Sequence, residues 1–408
     1  MNLYIIHEIS RATAYGIGTY IRELAIALKN SEINVCVIHL HANKQMIEMD
    51  ETIRHIYIPS PAIHDTSRNR NELNELYYRD VARHLQLQID NKEKLIFHIN
   101  SLINNMLALL LRDAFDCRIV ITVHSFVWVF KIFDNLPRLR KILNEDSSDN
   151  FGNNIKKTFE EEKSFFAIAD QIVCLSKYMR DVLCQEYGIE TEKVTVVPGG
   201  LSNDDNYSTV DIEQLREKWK IPDFEKIILF VGRMDDNKGL DYLLKAFREV
   251  LSLYPQSRLV IAGEGAFSFY TKVSQDICSR ITYTGFLDKP QLYEWYQMAD
   301  IGIIPSLFES FGYVALEMMM HGLPVVATAT SGMNEVIDES CGLKMPLTVL
   351  PNSVEIDTTL LAHKIACLLQ NPAVAKRFRN NVRQRYREKY ALPVFGSNMI
   401  EIYKSLFP

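Results

Sequence analysis

Short apolar runs alternate with amphipathic stretches along most of this chain. In the first half, the apolar runs occupy residues 3–7, 34–40, 55–59, 94–100, 118–124, 171–176 and 193–198. Stretches with apolar residues at helical spacing lie between them, over about 19–30, 71–89, 102–112, 155–168 and 177–187. This alternation of short strands and helices predicts a parallel sheet covered by helices on both faces.

The second half repeats the scheme. Its apolar runs lie at 226–232, 258–263, 281–285, 301–305 and from 324 onward. Its helical stretches begin near 240 and cover about 267–277, 290–299, 356–370 and 372–389. Because 408 residues exceed the size of a single core, we expect an α/β protein of two doubly wound, Rossmann-like domains. The polar stretch 199–224 holds one helix and marks the connection, so we predict domains over 1–200 and 201–393 and an amphipathic final helix over 394–408.

Charge and cysteine content narrow the class of protein. The net charge is -6, with no concentration of basic residues in either half, which argues against a nucleic-acid partner. The 7 cysteines form no CxxC pair, and several lie inside apolar runs, so we expect reduced thiols and a cytoplasmic setting. The first residues lack a signal-peptide pattern, and no apolar run approaches the roughly 18 residues of a membrane span.

The stretch 301–328 carries the strongest candidate chemistry. It predicts a buried strand, a short turn, a helix that opens near Gly312 and stops at Gly322, and a second buried strand. Glu309 precedes the helix and Glu317 falls in its second turn, so the two carboxylates are held apart and face different parts of one ligand. The first free amides of the helix lie between them and suit an anion.

Two cations follow the strand predicted at 226–232. Arg233 comes directly after it, and Lys238 with Gly239 opens the next helix. Cations at this end of a strand suit a diphosphate whose charge grows as a bond to it breaks. Exposed cations in loops are also common without any function.

The string PSLFESFGYVALE, followed by HGLPVVAT, together with the GR and KG pairs at Arg233 and Lys238, resembles the retaining GT-B glycosyltransferases of family 4. The resemblance implies a cleft between the two domains. It also implies that Glu309 contacts donor-sugar hydroxyls, that Glu317 holds the ribose, and that Arg233 and Lys238 stabilise the departing diphosphate. The implied contacts with phosphate and sugar oxygens fall on Ser310, Phe311, Gly312, Tyr313 and Val314.

Weaker motifs complete the predicted site. Gly263, Glu264 and Gly265 resemble a turn near the nucleotide, and Phe286 and Leu287 match positions that meet the base. His124, at the end of a strand, matches a histidine close to the donor sugar, although such a histidine is commonly structural.

A glycine pair also lies near the start of the chain. Gly16 and Gly18 occupy a loop entering a helix, where amides can contact a phosphate or the acceptor. A dinucleotide-binding dehydrogenase is disfavoured, since its third glycine would stand at Ile21. Ser176 is predicted to cap a helix.

The reaction expected from the resemblance is transfer of a sugar from a nucleoside-diphosphate sugar to an acceptor hydroxyl, with retention and without a metal or other cofactor. A UDP-sugar is favoured and a GDP-sugar is possible. The acceptor, whether glycan, lipid-linked or peptide, is not indicated by the residues of the expected acceptor loops at 60–75 and 125–155. The alternatives are another GT-B enzyme, such as a sugar phosphorylase or nucleotide-sugar epimerase, and a catalytically silent subunit that binds sugar nucleotides.

The segment 129–143 allows two interpretations. Its cations, Lys131, Arg138, Arg140 and Lys141, stand among apolar residues, so it can contact an anionic membrane surface as a peripheral protein on the inner face. A helix that faces the core is the favoured interpretation.

Overall fold

Strands and helices alternate through the computed structural model, which describes residues 1–9, 15–60, 70–100, 105–145, 149–203 and 211–407. Within these residues the strands are β1 (Asn2–Glu8), β2 (Asn34–Ala42), β3 (Met46–Asp50), β4 (Ile53–Pro59), β5 (Leu95–Ile99), β6 (Cys117–Val123), β7 (Gln171–Cys174), β8 (Val194–Val196), β9 (Lys226–Val231), β10 (Ser257–Ala262), β11 (Ile281–Gly285), β12 (Ile301–Ile304), β13 (Val325–Thr328), β14 (Gly342–Met345), β15 (Leu347–Val349) and β16 (Val354–Ile356). The helices are α1 (Gly16–Leu28), α2 (Arg70–Gln88), α3 (Asn105–Ala114), α4 (Val129–Ile132), α5 (Leu136–Asn144), α6 (Asn150–Ala167), α7 (Lys177–Gln185), α8 (Ile212–Lys218), α9 (Leu240–Leu253), α10 (Phe267–Val273), α11 (Lys289–Met298), α12 (Tyr313–Met320), α13 (Met333–Val336), α14 (Thr358–Gln370), α15 (Pro372–Lys389) and α16 (Leu392–Ser405).

The chain divides into two units. The first unit comprises Met1–Phe126, Ser147–Gly200 and Leu392–Pro408. The second unit comprises Val127–Asp146 and Leu201–Ala391. The helices α4 and α5 therefore belong to the second unit although they stand in the first half of the sequence.

The first unit is built on a sheet whose described strands have the order β3-β4-β2-β1-β5-β6-β7-β8. All neighbours pair in parallel except β3 and β4, which are antiparallel. The central strand β5 is buried along its whole length, as expected for a parallel sheet covered on both faces. The edge strand β3 was not predicted, because its sequence MIEMD is mostly exposed and gives no apolar run.

The second unit has a parallel sheet of order β11-β10-β9-β12-β13-β14, with a separate hairpin of β15 and β16. Its core joins the inner faces of α9 and α14 to the strands, through residues such as Leu244, Phe247, Ile261 and Ile365. The predicted α/β class, with two Rossmann-like sheets, is confirmed.

Two of the predicted helices are interrupted or shorter in the structure. The helix expected over 129–143 is broken, because Phe133 and Asp134 both adopt the left-handed conformation, with φ of 51° and 58°. The helix expected over 267–277 ends at Val273 and is followed by a 3-10 turn, Gln275–Arg280.

The helix expected from residue 19 begins three residues earlier, at Gly16. Gly16 and Gly18 therefore lie in the first turn of α1, not in a loop before it. Residues 10–14, which precede this helix, and most of the expected acceptor loop at 60–75 lie outside the described residues.

The cysteines are all free thiols, and Cys36, Cys117, Cys174 and Cys341 are buried, as several were expected to be.

The predicted cap is also confirmed, because the Ser176 side chain accepts a hydrogen bond from the Met179 amide at the start of α7. Among the helices of the described chain, none has the length and apolar character required to cross a membrane.

A buried polar network ties α16 and α1 to the sheet of the first unit. The two ring nitrogens of His98 hydrogen-bond to the Tyr403 hydroxyl at 2.7 Å and to the Thr122 hydroxyl at 2.6 Å. Thr122 is in turn 3.1 Å from the Tyr20 hydroxyl. Burial lowers the pKa of His98 from 6.5 to about 3, with a smaller contribution from the nearby His124. His98 is therefore neutral in the folded protein.

This network predicts that stability falls with acidification. Between pH 6.5 and pH 3 the unfolded chain binds a proton at His98 that the folded chain does not, so lowering the pH through this window destabilises the fold. At pH 5 the expected contribution of His98 is a loss of about 2 kcal/mol relative to pH 7. Guanidinium unfolding of the parent and of His98→Gln at both pH values measures it. His98→Gln is expected to show a smaller loss.

The matched control is His363→Gln, since the His363 side chain is 58% exposed on α14. This variant should keep the loss of stability that His98 contributes, because it leaves the buried network intact. An equal pH dependence in the parent and in His98→Gln would contradict the prediction.

Candidate functional site

The predicted donor residues of the second unit meet at one edge of its sheet. Arg233 follows β9, Gly263 follows β10, Phe286 follows β11 and Glu309 follows β12. These strands are parallel neighbours, so their carboxyl ends lie at the same edge. Ligands of open α/β sheets bind at this edge.

Arg233 and Lys238 lie in the loop between β9 and α9. The Arg233 guanidinium is 3.1 Å from the carboxylate of Asp235, and its side chain is 32% exposed. Lys238 ends a short 3-10 turn, and the next residue, Gly239, directly precedes α9 in the left-handed conformation. Both cations are partly exposed in the loop that leads into α9, where they can bind an anion.

Lys238 and Glu309 form a direct ion pair. The Lys238 ammonium donates to a Glu309 carboxylate oxygen at 2.6 Å, and both side chains are more than three-quarters buried. The Ser306 hydroxyl is a weaker donor to the same oxygen, at 3.5 Å. The sequence prediction gave these residues separate roles, and the structure places their charged groups in contact.

The residues between the two glutamates form the start of α12. Gly312 precedes the helix with a φ of 97°, and Phe311 is buried against Tyr313 and Tyr390. Ser310, Tyr313 and Val314 are partly exposed. The first amides of a helix have no partners within it, so those of Tyr313 and Val314 suit a negatively charged group.

Glu317 is buried in the second turn of α12. Its carboxylate accepts a hydrogen bond from the Tyr296 hydroxyl at 2.8 Å and lies 3.9 Å from the Lys289 ammonium. Burial raises the pKa of the Tyr296 hydroxyl, and the charge of Glu317 raises it further. Glu309 and Glu317 thus have different partners in the structure.

The turn Gly263-Glu264-Gly265 packs against the Arg233 loop. The two glycines have φ values of 148° and 145°, and a β-carbon on Gly263 would lie 1.9 Å from the Gly232 carbonyl oxygen. The Met234 amide donates to the Glu264 carbonyl at 2.8 Å. Close packing against the backbone that follows β9 therefore requires glycine at these positions. Contact of this turn with a nucleotide stays a prediction.

Phe286 and Leu287 follow β11 at the same edge. The Phe286 side chain is 65% exposed, and Leu287 is partly exposed. An exposed phenylalanine can contact a planar base, so this geometry is compatible with the predicted role.

His124 belongs to the first unit, directly after β6. Its Nε2 hydrogen-bonds to the Asn100 side-chain oxygen at 3.0 Å, and its ring packs edge-on against Tyr20. Burial lowers the pKa of His124 to about 3. The ring is therefore a neutral hydrogen-bonding group near pH 7, not a cation. Gly16 is exposed and Gly18 partly exposed in the first turn of α1 in the same unit.

Sequence reasoning missed several partners of these residues. Asp235, which pairs with Arg233 at 3.1 Å, was not among the predicted site residues. Tyr296 and Lys289 lie on α11, 21 and 28 residues before Glu317. No local pattern marks them, because only the packing of α11 beside α12 brings them to the carboxylate.

The fold and the sequence comparisons define the class. The described sheets are those of a GT-B protein, and a family model described as "Glycosyltransferase Family 4" matches residues 14–204. A second model, "Glycosyl transferases group 1", matches residues 211–385. Together the two models cover nearly the whole sequence, so this chain belongs to the group 1 glycosyltransferases.

One curated relative is an uncharacterised glycosyltransferase of Methanocaldococcus jannaschii. It is 29% identical over 243 residues, which are 57% of this chain and 60% of the relative. The chain thus spans about three-fifths of the length of that relative.

Two solved structures show the same fold. Sucrose-phosphate synthase from Thermosynechococcus elongatus has a TM-score of 0.77 and 22% identity, covering 100% of this chain and 99% of its own. The HepE protein of Anabaena, solved with UDP-glucose, has a TM-score of 0.70 and 16% identity, covering 99% and 100%.

A substitution at Gly239 tests whether the loop before α9 packs directly against the loop after β12. Its φ is 63°, and a β-carbon would lie 2.0 Å from the Pro305 carbonyl oxygen, so Gly239→Ala combines backbone strain with a clash. Gly285→Ala is the matched control, since Gly285 has a φ of 73° but no atom within 4 Å of the added carbon. We expect losses of about 3 kcal/mol for Gly239→Ala and about 1 kcal/mol for Gly285→Ala in chemical unfolding. Equal losses would show that the two loops are not in close contact.

Proposed function

We propose that this protein transfers a sugar from a nucleoside-diphosphate sugar to an acceptor hydroxyl, with retention at the anomeric carbon. The observation that carries the proposal is the contact of Lys238 with Glu309, beside Arg233, at the carboxyl edge of the second sheet. Membership of the group 1 glycosyltransferases supports it. A UDP-sugar is the favoured donor, because the structurally similar Anabaena protein binds UDP-glucose, and a GDP-sugar is the second candidate.

The proposed donor contacts follow the charges of the site. Arg233 and Lys238 bind the diphosphate, together with the first amides of α12. Glu309 accepts hydrogen bonds from the sugar hydroxyls, and Glu317 accepts them from the ribose. Phe286 and Leu287 contact the base, and His124 contributes a neutral polar group near the donor sugar.

The reaction breaks the bond between the anomeric carbon and the diphosphate oxygen. As this bond lengthens, positive charge grows on the sugar and negative charge on the diphosphate, and the two cations stabilise the latter. The acceptor hydroxyl forms the new bond on the face that the diphosphate leaves. Its proton passes to the departing phosphate oxygen. In this mechanism the acceptor attacks the sugar directly, and no protein nucleophile takes part.

Donor binding must reorganise the ion pair. In the structure Lys238 and Glu309 neutralise each other, and a diphosphate competes with Glu309 for the ammonium group. The Glu309 oxygens then accept from sugar hydroxyls in place of the ammonium. Both charges therefore keep partners only when the ligand carries a phosphate and a hydroxyl donor.

Catalysis is proposed to need no metal ion, because Arg233 and Lys238 supply positive charge to the diphosphate. Within the part of the chain that the structure describes, no three His, Cys, Asp or Glu side chains are grouped so as to hold a metal ion. The acceptor is a glycan, a lipid-linked compound or a peptide, and a nucleic acid is not proposed.

Peripheral membrane contact through 129–143 receives little support. Val129, Ile132 and Leu139 of this segment are buried within the second unit, and Arg138 donates to the Asn352 carbonyl at 3.0 Å. This agrees with the interpretation of a helical segment that faces the core.

Lys238→Ala tests the proposal. A thermal-shift panel of UDP- and GDP-sugars first identifies the donor, because a ligand bound only by the folded state raises the melting temperature. Release of the nucleoside diphosphate is then measured, and we expect turnover in Lys238→Ala to fall by about 100-fold or more, since one charge stabilising the transition state is lost.

Lys245→Ala is the control, because the Lys245 side chain is 60% exposed and its ammonium lies 3.8 Å from the Asp241 carboxylate on the same helix, α9. It should keep the turnover of the parent. Full turnover in Lys238→Ala would contradict the proposed role, and binding without turnover in the parent would favour a silent sugar-nucleotide-binding subunit.

A further inference from the structure

The loop that carries Glu309 contacts the segment 127–146, which the structure includes in the second unit. The Phe130 ring packs edge-on against Phe308, with the ring centres 5.1 Å apart. Four residues later, the Asp134 carboxylate accepts a short hydrogen bond from the Ser331 hydroxyl. Neither contact belongs to the residues assigned to the donor above.

Both ends of this hydrogen bond are in strained backbone. Asp134 and its neighbour Phe133 have φ values of 58° and 51°, and Ser331 has a φ of 36°. Non-glycine residues seldom adopt these values, and such strain persists only where the surrounding structure enforces it. The meeting of two strained turns at one hydrogen bond therefore points to a role for that contact.

The turn of Ser331 is linked directly to Glu309. The Gly332 amide donates to the Glu309 carbonyl at 3.0 Å, and the Thr330 hydroxyl donates to the Leu307 carbonyl at 3.2 Å. A β-carbon on Gly332 would lie 1.9 Å from the Ser310 carbonyl oxygen, so the two backbones touch. A shift of Ser331 must therefore move the backbone of Glu309.

The segment is firmly held on its other side. The Asn135 side chain donates to the Leu350 carbonyl at 2.7 Å and also caps α5 by accepting from the Arg138 amide at 3.1 Å. The Phe133 ring packs against the core of the second unit. The contacts of the neighbouring residues Phe133 and Asn135 thus hold Asp134 in position against Ser331.

We propose that Asp134 is a positioning residue for Glu309. It acts through Ser331, whose turn fixes the backbone of Glu309, and so sets where the carboxylate meets the sugar of the donor. This inference rests on the proposed function for the identity of the ligand. It predicts that Asp134 affects binding of the sugar part of the donor more than binding of the nucleoside diphosphate, because Glu309 is the residue proposed to meet the sugar, while Arg233 pairs with Asp235 in the loop after β9.

The first experiment needs no ligand. Hydrogen exchange of the amides in 307–312 is compared in the parent, Asp134→Ala and Asp134→Asn. Loss of a hydrogen bond to a charged acceptor is expected to speed exchange in Asp134→Ala by about tenfold or more. Asparagine tolerates the left-handed conformation and still accepts a hydrogen bond, so Asp134→Asn should restore most of the protection.

The second experiment separates positioning from general stability. Calorimetric titration with UDP and with UDP-glucose, and then with GDP and GDP-mannose, gives the affinity added by the sugar. Asp134→Ala should weaken the sugar nucleotide by about fivefold to tenfold and the nucleoside diphosphate by less than about twofold. Lys220→Ala is the control, since Lys220 also belongs to the second unit and has a positive φ, of 57°, but its side chain is exposed.

The outcomes are distinct. Exchange of 307–312 that is as slow in Asp134→Ala as in the parent overturns the inference, whatever the ligand is. Equal weakening of UDP and UDP-glucose also overturns it, since that pattern indicates a general loss of structure. Failure of the parent to bind any of the four nucleotides counts against the proposed function, while the exchange result still decides the positioning of Glu309.

Discussion

The ion pair of Lys238 and Glu309 is the interaction on which the candidate site depends. It joins the loop after β9 to the loop after β12, two neighbouring parallel strands, and it neutralises two charges that are mostly buried. A buried charge without a partner is strongly unfavourable, so each side chain constrains where the other can lie. The close approach of Gly239 to the Pro305 carbonyl brings the same two loops together at the backbone level. Backbone packing and charge pairing thus specify the same geometry.

Backbone packing requires glycine at several positions of the site, and the sequence motifs alone do not show this requirement. Gly263 touches the Gly232 carbonyl, and Gly332 touches the Ser310 carbonyl, so each allows two strand-end loops to pack directly. A side chain at either position would push apart loops that carry Arg233 or Glu309. These glycines therefore matter to the site by fixing how its loops pack, whether or not their own backbone meets a ligand.

Much of the fold was predictable because buried parallel strands are short apolar runs, as β9 and β12 are. Arg233, Lys238, Glu309 and Glu317 were then predicted from the motifs that follow those strands and from their resemblance to a known family. The strand β3 was missed because it is an exposed edge, and the break at Phe133 and Asp134 was missed because neither residue is a glycine or proline. The contact of Asp134 with Ser331 spans 197 residues, so it depends on tertiary packing that no local pattern encodes.

The charge arrangement also predicts which ligands the proposed site favours. A bare phosphate can take the Lys238 ammonium, but it leaves the partly buried Glu309 carboxylate with the weak Ser306 donor, at 3.5 Å, as its remaining side-chain hydrogen bond among the described residues. A free sugar can donate to Glu309, but it cannot replace the carboxylate as the partner of the ammonium. Either ligand alone leaves one charge poorly satisfied, which is unfavourable in a partly desolvated site. A sugar joined to a diphosphate satisfies both, so selectivity for the intact donor follows from the ion pair that it displaces.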